Sequence, residues 1–169
     1  DHLSAVILTH RHADHVYGLP MLVQGAWLGG RTAPLPIYGP QETLDIGLQM
    51  LQLYDLDKQA NMFPLLWRPV PMREGQHVWT FGGVRITASP TCHGDLDTLA
   101  LRLENEARGT AIVYSSDTEP SPAVARLATG ADLLIHEATG DRAGHSTPAQ
   151  AAEMAREAAE DPSAPLPVF

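Results

Sequence analysis

Only one cysteine, Cys92, occurs in the 169 residues, which excludes an internal disulfide framework and an all-cysteine zinc site. Cationic side chains are also scarce. Eleven Lys and Arg, of which Lys58 is the sole lysine, face twenty Asp and Glu, for a net charge of −9. The arginines are scattered singly, so the chain lacks the cation clusters that broad non-specific nucleic-acid binding needs. No apolar run approaches the ~20 residues that cross a bilayer, and no charged-then-apolar leader opens the sequence. The reading is therefore a cytoplasmic protein without a membrane segment, although a start at Asp1 leaves a removed signal peptide open. Charged residues make up 18%, below the usual quarter, and 44% hydrophobic residues suffice for the core of one domain spanning 1–169.

Hydrophobic periodicity supplies the elements. Ala5-Val6-Ile7-Leu8 reads as a buried strand, and Val16 to Leu28 as a short helix interrupted near Gly18-Leu19-Pro20. Leu35 to Tyr38 is a short strand closed by Gly39-Pro40, and Gln41 to Tyr54 a helix with Leu44, Leu48 and Leu51 on one face. Gln76 to Thr80 and Val84 to Ser89 flank Phe81-Gly82-Gly83, a hairpin signal. Thr98 to Leu103 and Thr110 to Ser115 form a second pair. Ala123 to Leu127 reads as a helix, and Leu133 to Ile135 as a buried strand. Thr147, Pro148 and Gln150 carry a capping box for a last helix reaching about Glu160. Asp161 to Pro165 breaks that helix, and Leu166 to Phe169 begins another strand. There is no internal repeat. The order of elements suits a layered α/β sandwich.

The first strand ends in Thr9-His10-Arg11-His12-Ala13-Asp14-His15, three imidazoles and a carboxylate within six positions. Neutral imidazole and carboxylate suit zinc and its divalent neighbours. In extended backbone His10 and His12, at i and i+2, point to one side and can hold one metal. Asp14 and His15 come where the chain must turn, so they point elsewhere and can hold a second ion. Two ions about 3.5–4 Å apart are a common arrangement for hydrolysis.

Three further sites stand where strands end: His93 after Ile86-Thr87-Ala88-Ser89, Asp117 after Ala111-Ile112-Val113-Tyr114, and His136-Glu137 after Leu133-Leu134-Ile135. A lone His or Asp at such a place is commonly a turn residue or a satisfied core group. Their recurrence carries the weight, since active sites on layered scaffolds are assembled from several strand tips. Cys92, beside His93, could be a metal ligand or a redox-sensitive thiol. A small buried residue at a strand end is the expectation, because free cysteine is commonly buried. His2 and His77 fit no motif.

The opening heptad resembles the signature of the metallo-β-lactamase fold superfamily. The isolated His93, Ser116-Asp117-Thr118, His136-Glu137-Ala138-Thr139 and Gly144-His145-Ser146-Thr147 follow in the order of ribonuclease Z and its relatives. The resemblance implies an incomplete four-layer αββα sandwich and two divalent metal ions, zinc by default, with manganese or iron as alternatives. His10, His12 and His93 would hold the first ion, Asp14 and His15 the second, and Asp117 would bridge them. Glu137 and His145 match the pair that resembles a proton relay. Asp14 would also orient the attacking water, so Asp14, Glu137 and His145 are the expected catalytic residues. For His145 a loop residue ahead of the cap, and for Glu137 a buried ion-pair partner, are the plain alternatives.

Two departures shape the functional expectation. The family takes a further His at the tip of a strand after the last helix, and strands precede the first motif. Neither is present, so an internal fragment with a deficient second metal site is expected. Members that process transfer RNA carry a long arm between the isolated His and Ser-Asp-Thr, whereas His93 to Asp117 has room only for a hairpin. A phosphodiesterase for a small substrate is favoured, with nucleic acid a less favoured substrate and a homodimer a further expectation. Hydrolysis of a carboxylic ester, lactone or sulfate ester, and a non-catalytic metal-binding or interaction module, are the alternatives.

Overall fold

A computed structural model describes residues 3–159 and 166–169. It falls into two compact units, Asp1–Val70 and Pro71–Phe169. Each is a sheet with helices, built from the periodicities read above.

In the first unit, β1 (Val6–Ile7), β2 (Leu35–Gly39) and β3 (Leu65–Pro69) form a parallel sheet in that order. Between them run α1 (Ala13–Val16), α2 (Leu19–Leu28) and α3 (Gln41–Leu53). The expected interruption near Gly18 is real: Gly18 precedes α2 and Pro20 occupies its first turn. Leu44 and Leu51 on α3 pack with Leu8, Val16, Leu19, Val23, Leu35 and Ile37 in one core. Two glycines make the packing close. A Cβ on Gly39 would stand 2.6 Å from the Leu8 carbonyl oxygen, and one on Gly47 would stand 3.0 Å from Leu19 Cδ2. Arg31 is buried because its guanidinium donates to the carbonyls of Leu3, Ala33 and Pro34 at 2.8–2.9 Å. β3 was not anticipated, since Leu65-Leu66-Trp67-Arg68-Pro69 lacks alternation and stands among prolines.

In the second unit β4 (Gln76–Phe81), β5 (Val84–Pro90), β6 (Leu99–Asn105), β7 (Thr110–Tyr114) and β8 (Leu133–Ile135) lie side by side in chain order. The first three pairings are antiparallel and β7–β8 is parallel. Gly82 and Gly83, at φ 59° and 79°, make the two-residue turn between β4 and β5, pairing Phe81 with Val84. One face carries Ala100, Val113 and Leu134 against α4 (Pro122–Ala128) and α5 (Pro148–Ala158). The opposite face carries a cross-strand apolar row, Trp79–Ile86–Leu103–Ile112–Leu133, of which Leu103 and Ile112 remain exposed.

The capping box of α5 forms as expected: Thr147 Oγ1 accepts from the Gln150 N–H, and Gln150 Oε1 accepts from the Thr147 N–H. The expected end of that helix at Glu160, the break at 161–165, and His2 lie outside the described residues. The strand expected to begin at Leu166 bridges in parallel at Val168 to Leu134, with backbone bonds from the Leu134 N–H to Pro167, from Phe169 to Leu134 and from His136 to Phe169 at 2.8–3.0 Å. Among the described residues no helix is long and apolar enough to cross a membrane.

Candidate functional site

The first unit supplies a histidine cluster at the tip of β1. Leu8 is the last residue tied to the sheet, donating its N–H to the Tyr38 carbonyl at 2.8 Å. The chain stays extended to His12 (φ −62°, ψ 148°), so the i, i+2 geometry holds. His10 Nε2 lies 3.2 Å from His12 Nδ1, with His10 fully buried and His12 exposed. Thr9 Oγ1 lies 3.3 Å from His10 Nδ1.

Helix α1 then starts at Ala13, earlier than the sequence reading placed it. Its first turn brings His15 back, so that its ring centroid lies 4.0 Å from that of His10. The expectation that Asp14 and His15 both turn away therefore holds only for Asp14, whose side chain is 77% exposed. Its carboxylate remains 3.6 Å from His15 Nε2. The cause is helical spacing: His15 follows His12 by three residues, and its N–H bonds to the His12 carbonyl.

The second unit supplies His93, Asp117, Glu137 and His145. Asp117 follows β7 by a sharp reversal in which Ser116 adopts the left-handed φ of 56°. His93 is buried, and its Nε2 lies 3.8 Å from Asp117 Oδ2. Its other ring nitrogen, Nδ1, faces the Gly144 carbonyl at 2.6 Å and must carry the proton, since a carbonyl only accepts.

Glu137 and His145 meet. His145 Nδ1 donates to Glu137 Oε1 at 3.0 Å. The same carboxylate accepts backbone N–H bonds from Thr118 (3.2 Å), Thr139 (2.7 Å) and Ser146 (3.0 Å). Burial pushes the Glu137 carboxyl upward, but these N–H donors outweigh it, and its pKa lies below the ordinary glutamate value. Glu137 is thus a largely buried partner of an imidazole, and the His145 ring lies 4.9 Å from that of His93. Tyr114 sits nearby with its pKa raised, first by burial and then by the Asp117 charge.

Cys92 is exposed, which corrects the expectation of a buried residue. β5 ends at Pro90, so Cys92 lies in the following loop with no core above it. His136 is buried and spends Nδ1 on the Glu137 carbonyl at 2.7 Å. His77 is exposed, with its Nε2 2.9 Å from Thr80 Oγ1. From His93 to Asp117 the chain is the β6–β7 hairpin with short loops, as expected. The sequence reading names Gly144 only as part of the Gly-His-Ser-Thr motif, without its role as acceptor for His93, and it misses Glu119, whose Oε1 holds the Gly144 N–H at 2.7 Å. Glycine immediately before His145 was the only available signal.

A family described as beta-lactamase superfamily domain matches residues 1–166. Ribonuclease Z of Mycobacterium bovis (strain BCG / Pasteur 1173P2) is 33% identical over 144 residues, covering 79% of this chain and 51% of its own length. The chain thus spans about half the length of that curated relative. Ribonuclease Z of Bacillus licheniformis is 33% identical over 211 residues, 92% of this chain and 67% of the relative. The 211-residue span exceeds the 169 residues here, so this relative carries residues without a counterpart in the chain. Among solved structures, the metallo-beta-lactamase fold protein YhfI from Bacillus subtilis superposes with a TM-score of 0.68 at 27% identity, covering 92% of this chain and 60% of that one. Unliganded yeast PDE1 gives 0.62 at 14% identity, covering 92% and 52%, a likeness of fold alone. With its architecture shared by these structures and nearly its whole length matched by the family, the chain belongs to the beta-lactamase superfamily, among the metallo-β-lactamase-fold, ribonuclease Z-like members.

Proposed function

We propose that the chain is the greater part of the active domain of a dinuclear metal-dependent hydrolase that cleaves phosphodiesters. The observation that carries the reading is the Glu137–His145 pair, an imidazole bound by a carboxylate that three backbone N–H groups keep ionised. Family membership and the histidine cluster at the β1 tip support it.

The donor set fits divalent ions of the zinc type. His10, His12 and His93 would hold one ion, Asp14 and His15 the other, and Asp117 both, with zinc first and manganese or iron as alternatives. Each unit carries only part of this set, so the proposal treats 1–169 as one functional domain. When bound, such ions lower the pKa of water to about 7 and polarise the scissile group.

The chain's own residues do the rest. Asp14, exposed at the start of α1, would accept a hydrogen bond from the attacking water. His145 keeps its Nδ1 proton on Glu137 and uses Nε2 to pass a proton to the leaving oxygen, a task suited to imidazole near neutral pH.

The curated relatives are named ribonuclease Z, which brings an RNA phosphodiester into the substrate class. The net charge of −9 and the short hairpin after His93 favour a smaller phosphodiester. Both readings predict that the full-length, zinc-loaded protein turns over bis(p-nitrophenyl) phosphate faster than p-nitrophenyl acetate or a simple lactone. Cleavage of an RNA with a single-stranded 3′ extension separates the two. Turnover of the acetate or lactone without the phosphodiester would replace the proposal with the ester-hydrolase alternative, and no turnover of any with metal bound would leave a binding module.

A further inference from the structure

His93 is buried and far from its controlling partners in sequence, yet its ring is fixed from two directions. Its Nδ1–H donates to the Gly144 carbonyl at 2.6 Å across 51 residues. Gly144 has φ +84°, a conformation that favours glycine, and a Cβ there would stand 2.8 Å from His93 Nδ1. Gly144 is itself held, because its N–H, in the peptide before its carbonyl, donates to Glu119 Oε1 at 2.7 Å. The backbone N–H of Glu119 donates in turn to the carbonyl of Cys92, the residue before His93, at 2.6 Å. Glu119 therefore holds both the peptide ahead of His93 and, through the Gly144 N–H, the residue whose carbonyl accepts from the His93 ring.

We propose that Glu119 is a positioning residue for His93, acting through Gly144 to hold the imidazole in the Nδ1–H tautomer with Nε2 as the donor atom. Nε2 is the nitrogen that faces Asp117 Oδ2, 3.8 Å away, so the tautomer set by Glu119 decides which atom is offered as a ligand. Outer partners of this kind typically shift metal affinity by about 10–100-fold when removed. Glu119 is exposed, so replacing it removes no core contact.

Only the metal arm of the test rests on the function proposed above. In the full-length, metal-stripped protein, long-range proton–nitrogen correlation at a pH of about 8, where imidazoles are neutral, reads the His93 tautomer directly. The wild type and Glu119→Gln, whose amide oxygen still accepts from Gly144, should give the Nδ1–H form. Glu119→Ala should give a mixture, and so should Gly144→Ala, whose Cβ displaces the ring. The Kd for Co2+ should rise about tenfold or more in Glu119→Ala and stay near wild type in Glu119→Gln.

An Nε2–H tautomer in the wild type, or a Glu119→Ala protein with unchanged tautomer and unchanged Kd, overturns the proposal. A lowered melting temperature with an unchanged tautomer overturns it too, since that is the mark of a merely structural residue. Should Glu119→Ala not fold, Glu119→Asp, whose carboxylate falls one methylene short, takes its place with the same expectations. A wild type that binds no Co2+ defeats the metal reading, and the tautomer comparison still decides the role of Glu119.

Discussion

Glu137 gathers four donors on one carboxylate, the N–H groups of Thr118, Thr139 and Ser146 and the Nδ1–H of His145. Two effects oppose each other there. Burial disfavours the anion, the hydrogen bonds favour it, and the bonds win, so the folded pKa lies below the ordinary 4.5. A depressed folded pKa contributes stability that is complete above the unfolded value and is lost as pH falls through the folded one. Acidification from pH 7 should therefore lower the melting temperature of the wild type more steeply than that of Glu137→Gln in the region below about 4.5. At neutral pH Glu137→Gln should be the less stable protein by about 1–3 kcal/mol, because an amide NH2 cannot satisfy the buried N–H groups around it. Parallel slopes on acidification would show that the four donors contribute nothing to folding. For chemistry, His145→Ala should reduce kcat by roughly 10²-fold or more while metal content stays constant, as expected on losing a proton donor.

The strand tip is the element that connects sequence to site. His10, Asp117 and Glu137 each follow the end of β1, β7 or β8 by two or three residues, and one rule finds each of them: an apolar run that stops at a polar residue. The His10–His12 pairing followed from the period of two, and the Gly82-Gly83 turn from the demand for positive φ. β3 was not legible because its neighbours satisfy it through a parallel pairing rather than through an alternation of its own. The roles of Glu119 and Gly144 were not legible because they lie in contacts 25 and 51 residues away, which no local pattern records. The cap of α5 was legible in full, since both of its bonds run between residues three apart. That box sits directly after Ser146, whose hydroxyl donates to the Thr118 carbonyl at 2.7 Å, so it anchors the His145 loop at its far side. Thr147→Ala should cost about 1 kcal/mol in urea unfolding with an unchanged slope. Thr147→Ser, which keeps the acceptor, should restore most of it; equal losses in both variants would assign the effect to the threonine methyl group instead.

At the scale of the whole chain, the excess of negative charge argues for solubility and against indiscriminate RNA binding, yet each unit exposes large apolar side chains, the first on its helices. Tyr17, Met21, Leu22, Leu28, Leu53 and Tyr54 are 40–76% exposed, and all belong to the helices of the first unit or to the residues joining them. Part of this surface is a groove of about 660 Å³ lined by Tyr17, Met21, Trp27, Met50 and Tyr54 among others, without a charged side chain. At about 100 Å² apiece the six side chains offer on the order of 600 Å², at the upper end of what a monomer exposes in one patch. A stable interface needs roughly 800 Å² per partner, so a second copy meeting this face about a two-fold axis would come close to the required area. The homodimer expected from the family resemblance is predicted to use this face. Sedimentation equilibrium of the full-length protein should give a dimer at micromolar concentration. Met21→Glu combined with Leu53→Glu should give a monomer with little change in melting temperature, because both side chains are more than 70% exposed in the single chain. A wild type that stays monomeric, or a double variant that stays dimeric, would mean that the exposed face of these helices serves something other than self-association.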